Sequence, residues 1–157
     1  MIHPTAIVET EIDESTQVWA FAHVSKGAKI GNNCMIGEGV FIDRDVIIGD
    51  NCRIQNHSLI YKGVMIGNNV FIGPNVVTTN DIEPDLRKPD WSDRFMETII
   101  SDNVAIGANS TVVCGTFIAK GVLIGAGSVL TKSAEVNDGV YYGNPAKFKR
   151  MRNQIGY

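Results

Sequence analysis

The stretch that decides the fold begins Ile30-Gly31-Asn32-Asn33-Cys34-Met35-Ile36-Gly37-Glu38-Gly39-Val40-Phe41-Ile42 and runs on to Thr78. Every sixth residue in it is aliphatic or Thr: Ile30, Ile36, Ile42, Ile48, Ile54, Ile60, Ile66, Ile72, Thr78. Two positions earlier stands a small or β-branched residue: Ala28, Cys34, Val40, Val46, Cys52, Ser58, Val64, Val70, Val76. A period of six matches neither a helix nor simple alternation. It describes a short strand with two inward side chains followed by a tight turn, which is the mark of a parallel β-helix. Gly after the aliphatic, as at Gly31, Gly37, Gly49, Gly67 and Gly73, is expected to take the backbone angles of a sharp corner. Three such sides close a triangular coil of about 18 residues, and coils stack about 4.8 Å apart.

The phase extends in both directions. Ala6, Ile12, Val18 and Val24 hold it, with Thr10, Thr16 and Ala22 as inward partners, while Trp19 and Phe21 face outward to cover a coil or a subunit contact. It stops after Thr78. The segment 79–97 carries Pro84, Pro89 and several charges and cannot continue a ladder, so it is read as a long loop with a function of its own. The rhythm resumes at Ile100, Ile106, Val112, Ile118, Ile124, Leu130 and Val136, with Val104, Ser110, Thr116, Val122, Ser128 and Ala134 inward. Residues 141–147 break the strand with Gly143 and Pro145 and lead into the basic run Phe148-Lys149-Arg150-Met151-Arg152, read as a solvated tail, a short helix or an anion site.

These features give an all-β chain, residues 1–157 forming one β-helix domain with one loop and a short C-terminal tail. Its net charge of −3 argues against nucleic acid as a partner. No apolar run approaches the ~20 residues of a membrane helix, and the first residues lack the basic start and apolar core of a secretion signal, so a cytoplasmic protein without membrane association is expected. Of the three cysteines, Cys34 and Cys52 stack 18 apart at inward positions and read as buried filler, with a disulfide as the alternative.

Positions 18 apart share a column. Asn80 stands over Lys62 and Lys62 over Arg44 on one outer corner, beside the loop; a basic column under an amide suits an anionic ligand. Lys132 stands over Cys114 in the same sense, next to Gly115. The histidines His3, His23 and His57 share no column, which is poor evidence for a zinc site. His57 is the one in a central coil, either an outward polar residue or a general base.

The hexads, the loop after Thr78 and Gly143-Asn144-Pro145-Ala146-Lys147 together resemble the left-handed β-helix acyltransferases, and the left hand is implied by that resemblance. More narrowly, Met1-Ile2-His3-Pro4-Thr5-Ala6, Ile54-Gln55-Asn56, Gly73-Pro74, Thr79-Asn80-Asp81 and Ile106-Gly107-Ala108-Asn109-Ser110-Thr111-Val112-Val113-Cys114-Gly115 are similar to the nucleotide-sugar N-acetyltransferases that modify a 3-amino group on a dTDP- or UDP-linked sugar. The resemblance implies acetyl-CoA as donor and a homotrimer with sites between subunits, and with the histidines scattered no metal is expected. It implies Asn80 near the sugar amine and no essential histidine. Asn56, Arg44, Lys62, Asp81, Arg87 and Trp91 are then candidate sugar-nucleotide contacts. Ala108, Cys114, Gly115 and Ala126 are candidate coenzyme contacts, with Pro145 nearby and Lys132, Lys147 and Arg150 for phosphates. Gly115 is the expected backbone donor to the oxyanion. This chain departs from relatives at Lys62, at His57 and in loop residues 82–91, which bears on the acceptor sugar more than on the donor. O-acetyl transfer, a 4-amino acceptor, a metal-dependent hydratase and a non-catalytic assembly module are the competing readings.

Overall fold

The computed structural model describes residues 1–88 and 94–154. Its strands form three faces of eight, seven and five strands. The coils run from the eight-stranded face to the seven-stranded and then to the five-stranded, with parallel pairing one coil apart. Ile36 lies opposite Ile54, Ile42 opposite Ile60 and Ile30 opposite Ile48. The result is a β-solenoid with no helix long and apolar enough to cross a membrane among the described residues.

The interior is the pair of columns that the period predicts. Ile36, Ile42, Ile54, Ile60, Ile72, Ile100, Ile106, Ile118 and Ile124 are fully buried, and the small positions Ala22, Val46, Cys52, Val76 and Val122 are buried beside them. Each such aliphatic contributes about 1.5–3 kcal/mol of burial. Ser58 and Ser110, at inward positions, are satisfied from the neighbouring coil, Ser58 Oγ donating to Gly73 O at 2.8 Å and Ser110 Oγ to Gly125 O at 3.0 Å, whereas the buried Thr98 Oγ1 has no hydrogen-bond partner among the described residues. Cys34 and Cys52 are free and buried, and the Cys52 N–H donates to Cys34 Sγ at 3.4 Å.

The glycines after the aliphatics have a different reason from the one expected. None of Gly31, Gly37, Gly49, Gly67 and Gly73 has positive φ; a Cβ on Gly49 would stand 2.5 Å from Asn68 Oδ1, and one on Gly73 2.7 Å from Ala108 N. Glycine is required there because consecutive coils approach too closely for a side chain. The left-handed residue of the corner is instead the third after the aliphatic, as at Asn33, Asn51, Asn69, Asn75, Asn103 and Asn109, and Asn is among the residues that best tolerate that conformation.

The loop leaves the solenoid without disturbing it. Ile66 pairs with Ile48 at the usual offset of 18 and with Ile100 at an offset of 34, so sixteen residues are extruded and the ladder closes behind them. The phase break in the sequence is thus an insertion at one corner. At the other end the hexads fail one repeat early. Val136 is exposed, and Tyr141, not a further aliphatic, pairs above Ile124. The basic C-terminal run is neither a free tail nor a helix. Strand Ala146–Met151 folds back antiparallel on Gly139–Gly143 and extends the eight-stranded face. The turn between them carries the cis Asn144–Pro145 bond.

Candidate active site

Nine of the candidate residues fall on two of the three edges of the prism, and these two edges flank the seven-stranded face. The edge leaving that face toward the five-stranded one carries Arg44, Lys62, Asn80, Cys114 and Lys132. Thr78 pairs with Val112, so Cys114 follows Asn80 and one column is continuous across the loop. The edge entering the seven-stranded face carries Asn56, His57, Ala108 and Ala126. Between the edges, the outward side chains of the face are Ile7, His23, Phe41, Leu59, Val77, Thr111 and Val129, matched in register and mostly apolar.

Asn80 is half-buried, and its side-chain amide makes no hydrogen bond among the described residues. Its backbone carbonyl accepts from the Met96 N–H at 3.0 Å. The loop is pinned at this point: Asp81 bridges Phe95 antiparallel, and the Asp81 carboxylate pairs with Arg94 at 3.3 Å with both side chains largely buried. Arg94 also donates to Glu83 O at 2.7 Å. Asp81, expected to meet substrate, is therefore a structural clamp, since Arg94 and the Glu83 N–H, at 2.9 Å, already occupy its oxygens. Sequence reasoning missed Arg94. Its signal is an Asp–Arg pair 13 apart at the two feet of the loop, legible only once residues 79–97 are seen to close on themselves.

Arg44 has no ion-pair partner among the described residues, whereas Lys62 Nζ lies 3.3 Å from Asp45 Oδ2. Arg87 forks onto Asp85 at 2.8 and 3.0 Å within its own loop, and this guanidinium holds the Asp85 carboxyl below the ordinary carboxylate value. Trp91 lies outside the described residues.

The backbone-donor role expected of Gly115 is not available. Its N–H is spent on Glu97 O at 3.1 Å, the side chain of Met96 lies against its Cα, and the adjacent Cys114 is buried with its N–H bonded to Thr79 Oγ1 at 2.9 Å. The returning limb of the loop has covered that corner. Free donors lie on the other edge instead. There the second corner position reads Asn56, Pro74, Ala108, Ala126, and neither Ala108 nor Ala126 has an acceptor for its N–H among the described residues. A side-chain oxygen on the next coil would have filled that role, as Asn56 Oδ1 does for the Glu38 N–H at 3.2 Å.

His57 adopts positive φ like the corner asparagines, and its imidazole folds over Gly39, away from the coil of Asn80. At the C-terminus, Lys132 and Lys147 are exposed, Pro145 forms the hairpin turn, and Arg150 is partly engaged, donating to Met151 O at 3.0 Å and Gln154 O at 2.7 Å. Among the described residues no group of three or more His, Cys, Asp or Glu is placed to hold a metal ion.

Comparison with known proteins agrees with this architecture. The bacterial transferase hexapeptide (six repeats) model matches residues 9–44 and 45–80, and the hexapeptide repeat of succinyl-transferase model matches 27–62 and 97–132. The chain is 45% identical over 150 residues to the dTDP-3-amino-3,6-dideoxy-alpha-D-galactopyranose 3-N-acetyltransferase of Aneurinibacillus thermoaerophilus, covering 94% of this chain and 76% of that protein. It is 34% identical over 139 residues to the bifunctional protein GlmU of Wigglesworthia glossinidia brevipalpis, covering 88% of this chain and only 28% of that protein. Among solved structures, PerB of Caulobacter crescentus, in complex with CoA and GDP-perosamine, superposes with a TM-score of 0.70 at 21% identity, over 94% of this chain and 56% of that one. At that identity the likeness is one of fold.

Proposed function

The chain belongs to the left-handed β-helix family of hexapeptide-repeat transferases, and from that premise we propose that it transfers the acetyl group of acetyl-CoA to the 3-amino group of a dTDP-linked amino sugar. The observation that carries this reading is the 45% identity extending over 94% of the chain to a relative named for that reaction. The product would enter surface polysaccharide synthesis in the cytosol.

The working unit is a homotrimer in which the apolar seven-stranded face looks inward, so that its entering edge on one protomer meets its leaving edge on the next. Asn80 and the loop then stand opposite Asn56, His57, Ala108 and Ala126 of a neighbour. The extended pantetheine arm suits the upper coils, where Ala108 and Ala126 offer unpaired N–H groups and no side chain bulk. Lys132 and Lys147, both exposed, would meet its phosphates. Arg44 and Lys62, on lower coils, suit the sugar nucleotide's diphosphate.

An amine flanked by sugar oxygens is less basic than lysine, whose pKa is about 10.4, so a substantial neutral fraction exists without a strong base. Asn80 accepts a hydrogen bond from that amine and aims its lone pair at the thioester carbonyl. The carbonyl oxygen, as it gains charge, takes an N–H from the entering edge, with Ala108 the nearest coil above Asn80. The C–S bond then breaks, the amide forms, and the amine proton leaves with the thiolate or to water. His57, folded onto Gly39, has no part in this scheme.

The test is a panel of nucleotide-linked 3-amino and 4-amino sugars with acetyl-CoA, read by free thiol release. The 3-amino dTDP sugar should turn over fastest. Release with none of them, together with no heat of acetyl-CoA binding, would replace the enzyme by an assembly module.

A further inference from the structure

The entering edge has a feature that the acetyl-transfer scheme does not use. On three successive coils near its N-terminal end a cavity of about 310 Å³ opens beside the eight-stranded face, lined by Trp19, Met35, Gly37, Glu38 and Asn56. Trp19, which lines it, is 42% exposed. The Glu38 carboxylate is exposed and makes no ion pair among the described residues, and Asn56 uses Oδ1 on the Glu38 N–H, which leaves its NH2 free to donate.

A second observation lies on the same edge. Phe21, two residues from Trp19, is 68% exposed and held at φ 58°. Every other non-glycine residue with positive φ among those described is Asn, Asp or His. A bulky apolar side chain in the left-handed region is costly and unusual. Here it is also exposed on the protomer, so packing within the protomer does not account for it.

Resting on the function proposed above, we infer that this cavity is the nucleobase subsite, and that it takes a pyrimidine carrying an N–H beside a carbonyl, namely thymine or uracil. The ring stacks on Trp19, and Phe21 stands two residues along on the same coil. Glu38 accepts the ring N3–H, and the Asn56 NH2 donates to the neighbouring carbonyl. Cytosine carries a lone pair at N3, which the carboxylate repels. The heights agree: Glu38 lies on the coil of Arg44, Asn56 on the coil of Lys62, and Asn80 two coils above Glu38. That is about 10 Å along the axis, which a diphosphate and one sugar ring can span.

The experiment uses full-length protein in a Trp91→Phe background, so that Trp19 is the single tryptophan. dTDP should quench its fluorescence saturably, CDP at least tenfold more weakly, and Glu38→Ala should erase that difference. In turnover, Trp19→Ala should raise KM for the sugar nucleotide about tenfold, the loss of one base-stacking contact, with kcat and the KM for acetyl-CoA unchanged. Equal binding of dTDP and CDP, or an unchanged sugar-nucleotide KM in Trp19→Ala while acetyl transfer proceeds, would overturn the subsite and leave the reaction standing. Saturable, Glu38-dependent quenching by dTDP without transfer to any amino sugar would do the opposite.

Discussion

Two edges of the same prism make the same backbone turn with different side chains. On the edge joining the five-stranded and eight-stranded faces, the corner reads Asn32-Asn33, Asp50-Asn51, Asn68-Asn69 and Asp102-Asn103 on successive coils. Each second residue takes positive φ, and the N–H of the first residue in three of the four is capped by the carboxylate or amide one coil on: Asn32 to Asp50 at 2.7 Å, Asp50 to Asn68 at 2.8 Å, Asn68 to Asp102 at 2.7 Å. On the edge entering the seven-stranded face, the inter-coil backbone bonds are equally well made, His57 N to Glu38 O at 2.8 Å and Asn109 N to Pro74 O at 2.9 Å among them. Its side chains, however, are mixed: the positive-φ position reads Phe21, Gly39, His57, Asn75, Asn109 and Gly127, and the position before it Ala20, Glu38, Asn56, Pro74, Ala108 and Ala126. Where the backbone's demand is met by one repeated residue type, the edge serves the fold. Where the same demand is met by varied residues that leave donors unpaired, the edge is free to serve a ligand.

This contrast is open to attack by mutation. The largest effect should come from the chemistry: Asn80→Ala is expected to lower kcat by about a hundredfold or more, the scale of losing substrate alignment, while the thermal transition is unchanged. Next comes the ladder. Asp102→Ala leaves the Asn68 N–H, at an exposed corner, without its acceptor and should cost about 0.5–1.5 kcal/mol in a urea titration, with kcat unaltered in the protein that remains folded. Phe21→Asn should go the other way, stabilising the fold by up to about 1 kcal/mol because Asn tolerates the left-handed region better, and weakening sugar-nucleotide binding. His57→Asn, the substitution that preserves the corner's preference, should change both stability and kcat least. A loss above a thousandfold in that variant would restore the general-base mechanism. Smallest of all is a pH effect in the loop. The Asp85 carboxyl is lowered by Arg87, so its contribution is present above the ordinary carboxylate pKa of about 3.9 and lost as pH falls through the lowered value. The pair is exposed, so proteolysis of the loop, rather than global unfolding, should report it.

Much of the fold was legible because a six-residue period at inward positions admits few solutions. The interior columns follow from Ile36, Ile54, Ile72 and Ile106 alone. What the period could not convey was why particular residues stand at the corners. Gly31 and Asn33 look interchangeable as turn formers, yet one is set by coil-to-coil contact and the other by φ. The C-terminal strand was missed because its partner, Gly139–Gly143, lies outside the hexads, and antiparallel pairing leaves no trace in a parallel repeat. Columns 18 apart put Arg44, Lys62 and Asn80 on one edge of the prism. Gly115 was misjudged because its covering residues, Met96 and Glu97, belong to a loop whose return path no spacing encodes. Trp19 was read as a coil cover or subunit contact, since exposure of one ring says nothing until Glu38 and Asn56 are seen beside it.

The account depends on a reaction site assembled from the two edges of different protomers. The direct measurement is subunit mixing. Asn80→Ala disables the leaving edge, and Ala126→Trp blocks the entering edge; each should be inactive alone. Co-refolded at equal ratio, they should recover about a quarter of wild-type thiol release, because a quarter of neighbour pairs join two intact edges. A mixture as inactive as its parents would mean that both edges act within one protomer, and the proposed site would be wrong.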